Sequence, residues 1–165
     1  MKGITPFLWF DDEAEEAANH YVSIFKEAGQ DAEVTHVSRY SKSGANAAGR
    51  PEGSVMTVSF RLGGQDFVGL NGGPVFQFTE ATSFAVNCQT QDEIDHFWGR
   101  LSDGGEEGVC GWLKDRYGLS WQIVAADFER MMEEGTPEQN ERAMAVILEM
   151  KKLDIDEIRR AYEGA

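Results

Sequence analysis

One order of elements occurs twice in this chain. From Ile4 to Asn71 the sequence predicts strand, helix, strand, strand, strand, and from Thr82 to Val124 it predicts that order again in shortened form. The repeat lies in element order, not in residue identity. It commits the chain to an α+β plan built from two βαβββ modules.

In the first copy, "ITPFLWF" is a short apolar and aromatic run that suits a strand. Asp12 and Glu15 have capping-box spacing. The apolar positions Ala14, Ala17, Ala18, Tyr21, Ile24, Phe25 and Ala28 share one helical face, and Gly29 is a natural stop. A helix is therefore expected over about 13–28. "AEVTHVSRY" reads as the next strand, followed by a Gly/Ala/Ser-rich loop from Ser41 to Gly53 that is long enough to be mobile or functional. "SVMTVSFRL", the turn Gly63-Gly64 and "QDFVGLN" form a hairpin, ended by Gly72, Gly73 and Pro74.

The second copy opens with the strand "TSFAVNCQ". Thr90 and Glu93 repeat the capping spacing, Ile94, Phe97, Trp98 and Leu101 form a helix face, and Gly104-Gly105 ends it. "GVCGWLKD", a turn over Arg116 to Gly118, and "LSWQIV" make a second hairpin. Lys114, Asp115 and Arg116 read as a solvated turn. Beyond it, Thr136-Pro137 is a cap with proline at the first helical position, Ala143, Val146, Ile147 and Met150 line a helix, and Asp154 with Glu157 starts a last short helix ending near Tyr162. The expected layout is a single domain over 1–165: module one about 1–75, module two about 76–126, and a helical tail about 127–165. The tail is expected to pack on the body or on a second subunit.

The charge balance excludes some partners. Fifteen basic against twenty-nine acidic residues give a net charge of −14, which repels phosphate backbones, and no basic patch interleaved with aromatics occurs. No run approaches the ~20 apolar residues of a membrane span. "MKGITPFLWFDDEAEE" lacks the apolar stretch and cleavage site of a signal peptide, so a cytoplasmic location is expected. Cys88 and Cys110 fit no zinc spacing and read as reduced thiols.

Four stretches in this order, "FLWFDDEAEEAANHYVSIF", "GGQDFVGLNGGP", "CGWLKDRYGLSWQIV" and "MKKLDIDEIRRAYEG", resemble the PhnB-like branch of the vicinal-oxygen-chelate superfamily. That superfamily includes glyoxalases, bleomycin-resistance proteins and extradiol dioxygenases. The resemblance implies an open, cup-shaped mixed sheet with helices outside, a homodimer, and a small-molecule ligand. The branch often carries a 3-demethylubiquinone-9 3-methyltransferase label. No glycine-rich loop for S-adenosylmethionine follows any predicted strand.

Metal-bearing relatives take ligands from the first and last strands of each module. Here those positions fall near Thr5, Asn71, Ser83 and Gln122, or, with a slip of one, near Pro6, Leu70, Thr82 and Trp121. None is a histidine or a carboxylate, so no metal and no cofactor is expected. If the first set faces the cup, alternation adds Phe7, Trp9, Phe67, Gly69, Ala85 and Asn87 to it. His36, which alternates with Val34, is a further candidate, whereas His20 and His96 fall on polar helix sides. Leu8, Phe10, Val68, Leu70, Phe84, Val86, Trp121 and Ile123 then face the helices as core. The expected function is small-molecule binding in an aromatic cup. The alternatives are an enzyme of the same superfamily, lyase, dioxygenase or methyltransferase-like, and a regulatory module acting through its dimer surface.

Overall fold

A computed structural model describes residues 3–165. The chain divides into two compact units, one ending at Phe78 and the other starting at Thr79. The first holds strand β1 (Phe7–Phe10), helix α1 (Ala14–Glu27), β2 (Ala32–Arg39), helix α2 (Lys42–Ala48), β3 (Val55–Leu62) and β4 (Gln65–Asn71). The second holds β5 (Ser83–Cys88), helix α3 (Gln91–Ser102), β6 (Glu106–Glu107), β7 (Trp112–Lys114) and β8 (Ser120–Ala125). The sheets run β1-β4-β3-β2 and β5-β8-β7-β6. In each, the first strand pairs parallel with the last and the other pairings are antiparallel. The repeated element order is thus a repeated topology: two open four-stranded mixed sheets in an α+β protein.

Helix α1 forms for the reason its sequence gave. Ala14, Ala17, Ala18, Tyr21 and Ile24 are all fully buried along the predicted stripe, against Val58 and Phe60 of β3. Full burial of each large apolar side chain stabilises by about 1.5–3 kcal/mol. The predicted Asp12–Glu15 box does not form. Glu13 occupies the cap position without a side-chain bond, and the Ala14 N–H donates instead to Asn71 Oδ1 of β4 at 2.8 Å. In α3, Thr90 Oγ1 does accept from Glu93 N–H at 3.2 Å, but Glu93 reaches past Thr90 and accepts from Gln89 N–H at 2.6 Å.

Three segments differ from expectation. The 41–53 loop contains α2, because Ser41 Oγ caps Gly44 N–H and Gly49 at φ +63° closes the helix. "GVCGWLKD" is not one strand: Cys110 and Gly111 have φ +57° and +79°, and Gly108 N–H folds back onto the Trp112 carbonyl at 2.8 Å. This leaves β7 with three residues and the two-residue β6 beside it. Finally, a helix α4 (Phe128–Glu134) precedes α5 (Pro137–Glu149) and α6 (Ile155–Glu163). Its sequence carries no legible stripe because none of its side chains is buried.

The tail packs on its own second unit. Cys110 and Gly111 donate their N–H groups to the carbonyls of Met150 and Lys151, both at 2.8 Å. A Cβ on Gly111 would lie 2.6 Å from the Ile123 carbonyl, so only glycine fits under that crossing. The Gln91 side chain then clamps the chain before α6, donating to the Leu153 carbonyl at 3.0 Å and accepting from Ile155 N–H at 2.9 Å.

Candidate functional site

Each sheet has one face covered by its helix and one face left open. In the first unit, Leu8, Phe10, Val58, Phe60 and Phe67 are buried on the covered face. Alternation and register place Phe7 and Trp9 of β1, Val68 and Leu70 of β4, Thr57 and Ser59 of β3, and Ser38 of β2 on the open one. Ser38 and Thr57 hydroxyls are hydrogen-bonded at 2.6 Å. A bulge at Thr35 resets the alternation in β2. Val34 opposes Phe60 on the covered side, while His36 opposes Ser59 on the open side and is exposed. Without that extra residue His36 would turn towards α1.

Trp9 is held at one end of this face. Its indole N–H donates to the Gly73 carbonyl at 2.8 Å, and Phe76 meets it edge-on at 4.9 Å. The ring lies where a Cβ on Gly72 would be, 2.2 Å away, so the Gly72 position must stay bare. Phe7 and Phe76 remain 66% and 62% exposed, leaving an aromatic surface rather than a sealed core. Thr5 lies exposed just before β1.

Phe67 and Asn71 are not on this face, contrary to the alternation assigned to β4. Phe67 stacks on Phe60 at 5.4 Å within the core. Asn71, 4% exposed, caps α1 through Oδ1, donates through Nδ2 to the Val55 carbonyl at 3.2 Å, and accepts Tyr40 Oη–H on its own carbonyl at 2.7 Å. The parallel register decides the matter: Asn71 opposes Phe10 and Leu70 opposes Trp9. Gly69 also lies on the covered side, where a Cβ would sit 3.1 Å from Ala14 Cβ. Val68 and Leu70, expected as core, are half-buried on the open face instead.

In the second unit the expected alternation and the observed faces agree. Ala85 and Asn87 are exposed, Ser83 and Gln122 are half-buried, and Gln122 Nε2 donates to Ser83 Oγ at 2.9 Å. Trp121, Ile123 and Cys88 are buried on the opposite face. Trp112 opposes Gln122 and so shares the open face. Asp115 is not solvated: it is 3% exposed, its Oδ1 accepts from the N–H groups of Tyr117 and Leu119, and its Oδ2 accepts from the Trp121 indole.

The two thiols differ. Burial, aided by the charge of Glu93, pushes Cys88 from 9.0 up to about 12, so it stays protonated and unreactive in the fold. Cys110 is half-buried. One thiol is expected to react with a thiol reagent in the native protein at pH 8 and the second only on unfolding. Because the unfolded Cys88 releases its proton above pH 9 and the folded one does not, stability should fall by up to about 1.4 kcal/mol per pH unit above that point. Urea midpoints at pH 8 and 10, compared between parent and Cys88→Ala, isolate this contribution; equal pH dependence in both would refute it.

The open-face positions on the paired first and last strands are Phe7, Trp9, Val68 and Leu70 in one unit and Ser83, Ala85, Asn87, Ser120, Gln122 and Val124 in the other. These are apolar groups and neutral oxygen donors, and Ser83 and Gln122 already satisfy each other. Among the described residues no three His, Cys, Asp or Glu side chains gather where they could hold a metal ion. This donor set does not fit a first-row divalent metal.

The family model for 3-demethylubiquinone-9 3-methyltransferase matches residues 2–124. A PhnB protein from Bacillus cereus carrying that methyltransferase label is 36% identical, with a TM-score of 0.65 over 76% of this chain and 100% of its own. The protein PA1353 from Pseudomonas aeruginosa is 16% identical, with a TM-score of 0.57 over 76% of this chain and 98% of its own. The fosfomycin resistance protein FosX from Listeria monocytogenes, complexed with Mn(II) and sulfate, is 16% identical, with a TM-score of 0.52 over 81% of this chain and 97% of its own. No curated protein matches the chain. The methyltransferase label implies S-adenosylmethionine, yet the β1–α1 turn is Asp11-Asp12-Glu13 with its first helical N–H taken by Asn71, and the β5–α3 turn is capped by Thr90. Neither is a glycine-rich cradle, and neither fits the cofactor. The two more distant structures share the fold, and the family model together with the 36% identical Bacillus cereus protein shows the family: the chain belongs to the PhnB-like 3-demethylubiquinone-9 3-methyltransferase family of the vicinal-oxygen-chelate superfamily.

Proposed function

We propose that this chain is a small-molecule binding protein of the glyoxalase/bleomycin-resistance type that holds a small, partly aromatic ligand without a catalytic metal. The observation that carries this reading is the open face of the first sheet. Phe7 and Trp9 offer aromatic surface, Val68 and Leu70 continue it, and Ser38, Thr57 and Ser59 add a few polar groups. Its ionisable groups are His36 and Arg39 and, at the hairpin end, Arg61 paired with both Asp66 and Glu33. Thr5 belongs with the proposed ligand-facing residues of the first unit, from which Phe67 and Asn71 drop out; Ser83, Ala85, Asn87 and Gln122 are proposed as ligand-facing on the second unit's own open sheet face. A homodimer and a cytoplasmic location complete the reading, the first because two-fold dimers are the commonest soluble assembly. No helix among the described residues is long and apolar enough to cross a membrane.

The test is elemental analysis of untagged protein, then thermal-shift titration with Zn, Ni, Mn and Fe(II) and with a panel of small aromatic compounds. Metal-free protein with no metal-induced shift is expected, together with a saturable rise in Tm and altered Trp9 fluorescence for at least one aromatic compound. A ligand at 100 times its Kd adds ~2.7 kcal/mol of stability. Stoichiometric metal that raises Tm would overturn the reading. An enzymatic reading keeps one observation, the exposed His36 beside Ser59, and requires turnover that His36→Ala abolishes.

A further inference from the structure

We propose that the second unit also carries a binding site for a small organic cation, a primary ammonium on a flat apolar body, at the β7–β6 side of its open sheet face. A cavity of about 170 Å³ lies there, lined by Glu80, Glu106, Trp112, Lys114 and Ser120 among others. Register brings these groups to one face: Glu106 opposes Lys114, Lys114 opposes Ser120, and Trp112 stands two residues before Lys114 on the same strand.

Two independent features point to a ligand. Ser120 is 1% exposed and its Oγ has no hydrogen-bond partner, although it lines the cavity. A buried hydroxyl left unpaired calls for an explanation, and a donor arriving with a ligand supplies one. The charge is also unbalanced. Lys114 Nζ is bonded to Glu80 at 2.5 Å, Glu107 binds the Trp98 indole N–H and lies 3.7 Å from Lys151, and Glu106 adds a further carboxylate opposite Lys114. An anion would meet this carboxylate excess, and a neutral apolar molecule would leave Ser120 unpaired. An ammonium answers both, donating to Ser120 Oγ and Glu106 while its flat body lies on the Trp112 indole. The net charge of −14 adds long-range attraction. The site uses second-unit residues alone and stands whether or not the first sheet binds an aromatic ligand.

The full-length protein would be titrated with benzylamine, a cation at neutral pH, and with benzyl alcohol, its neutral counterpart, by thermal shift and ligand-observed NMR. Saturable binding of benzylamine alone is expected, weakened about tenfold by Glu106→Gln and several-fold by Ser120→Ala, and reduced by salt. Ser120→Ala removes only an unpaired hydroxyl, so it should fold as the parent does, and its own unfolding transition checks this. Equal affinity for the alcohol would overturn the proposal, as would unchanged binding in both variants or no saturation by roughly 10 mM benzylamine.

Discussion

Asp115→Asn is expected to lower stability by roughly 3 kcal/mol, a large effect for a change that removes no volume. The carboxylate is buried, and backbone and indole N–H groups donate to it. Oδ1 receives Tyr117 N–H at 2.9 Å and Leu119 N–H at 3.0 Å, which closes the β7–β8 turn, and Oδ2 receives the Trp121 indole at 2.9 Å. An asparagine keeps one acceptor. Its amide group must then point N–H at N–H, either into the turn or into the indole, in a place water does not reach. Asp115→Ala should cost at least as much, since two buried donors, Leu119 N–H and the Trp121 indole, and the half-buried Tyr117 N–H lose their acceptor. The measurement is urea unfolding, with a lower midpoint at unchanged slope. Trp121→Phe removes the donor that the asparagine cannot satisfy, so Asp115→Asn combined with Trp121→Phe should fall short of the sum of the two single losses. Strict additivity would show that the indole bond contributes nothing.

That residue also marks where reading the sequence stops. The repeated order of the main elements, helices α1 and α3, and the tail helices α5 and α6 were legible because hydrophobic spacing and caps are local signals, whereas α2 and α4 were not; the like topologies of the two sheets follow from that repeated order. Asp115 was not, because it sits in "KDRYG", a string that reads as exposed turn until the sheet folds Trp121 back over it. Short-range polarity carries no information about a partner that arrives through tertiary packing. His36 shows the same limit in another form. Alternation with Val34 makes it a candidate for the cup, and it does lie on the open face, but Val34 lies on the covered one: a bulged residue between them, which no sequence spacing shows, sets them on opposite sides. In the candidate site, Phe7, Trp9, Ser83, Ala85, Asn87 and Gln122 were placed on the observed open faces because strands β1, β5 and β8 run without irregularity. For β4 the alternation was anchored on Asn71 as a presumed ligand position, and the whole strand came out inverted.

Asn71→Ala therefore discriminates between a ligand contact and a structural joint. Were Asn71 part of a binding surface, its truncation would weaken ligand and spare the fold. The observed bonds predict the opposite: a loss of about 2–4 kcal/mol, because the first N–H of α1 and the Val55 carbonyl both lose their partner and a small void opens under the helix. The Tyr40 bond is made to the backbone carbonyl and should survive. Asn71→Asp separates the two side-chain roles. Its carboxylate can still accept from Ala14 N–H and gains from the helix dipole, but it sets an oxygen against the Val55 carbonyl in place of a donor. The aspartate should consequently fall between asparagine and alanine. Amide exchange at Ala14 reads the cap directly, with protection kept in Asn71→Asp and lost in Asn71→Ala. Because one amide joins the end of β4 to the start of α1 and to β3, its loss should loosen the same strand ends that hold Trp9 and Leu70 in place on the open face. A weakened ligand response in Asn71→Ala would then be an indirect effect, recognisable because Asn71→Asp, with the cap intact, restores it.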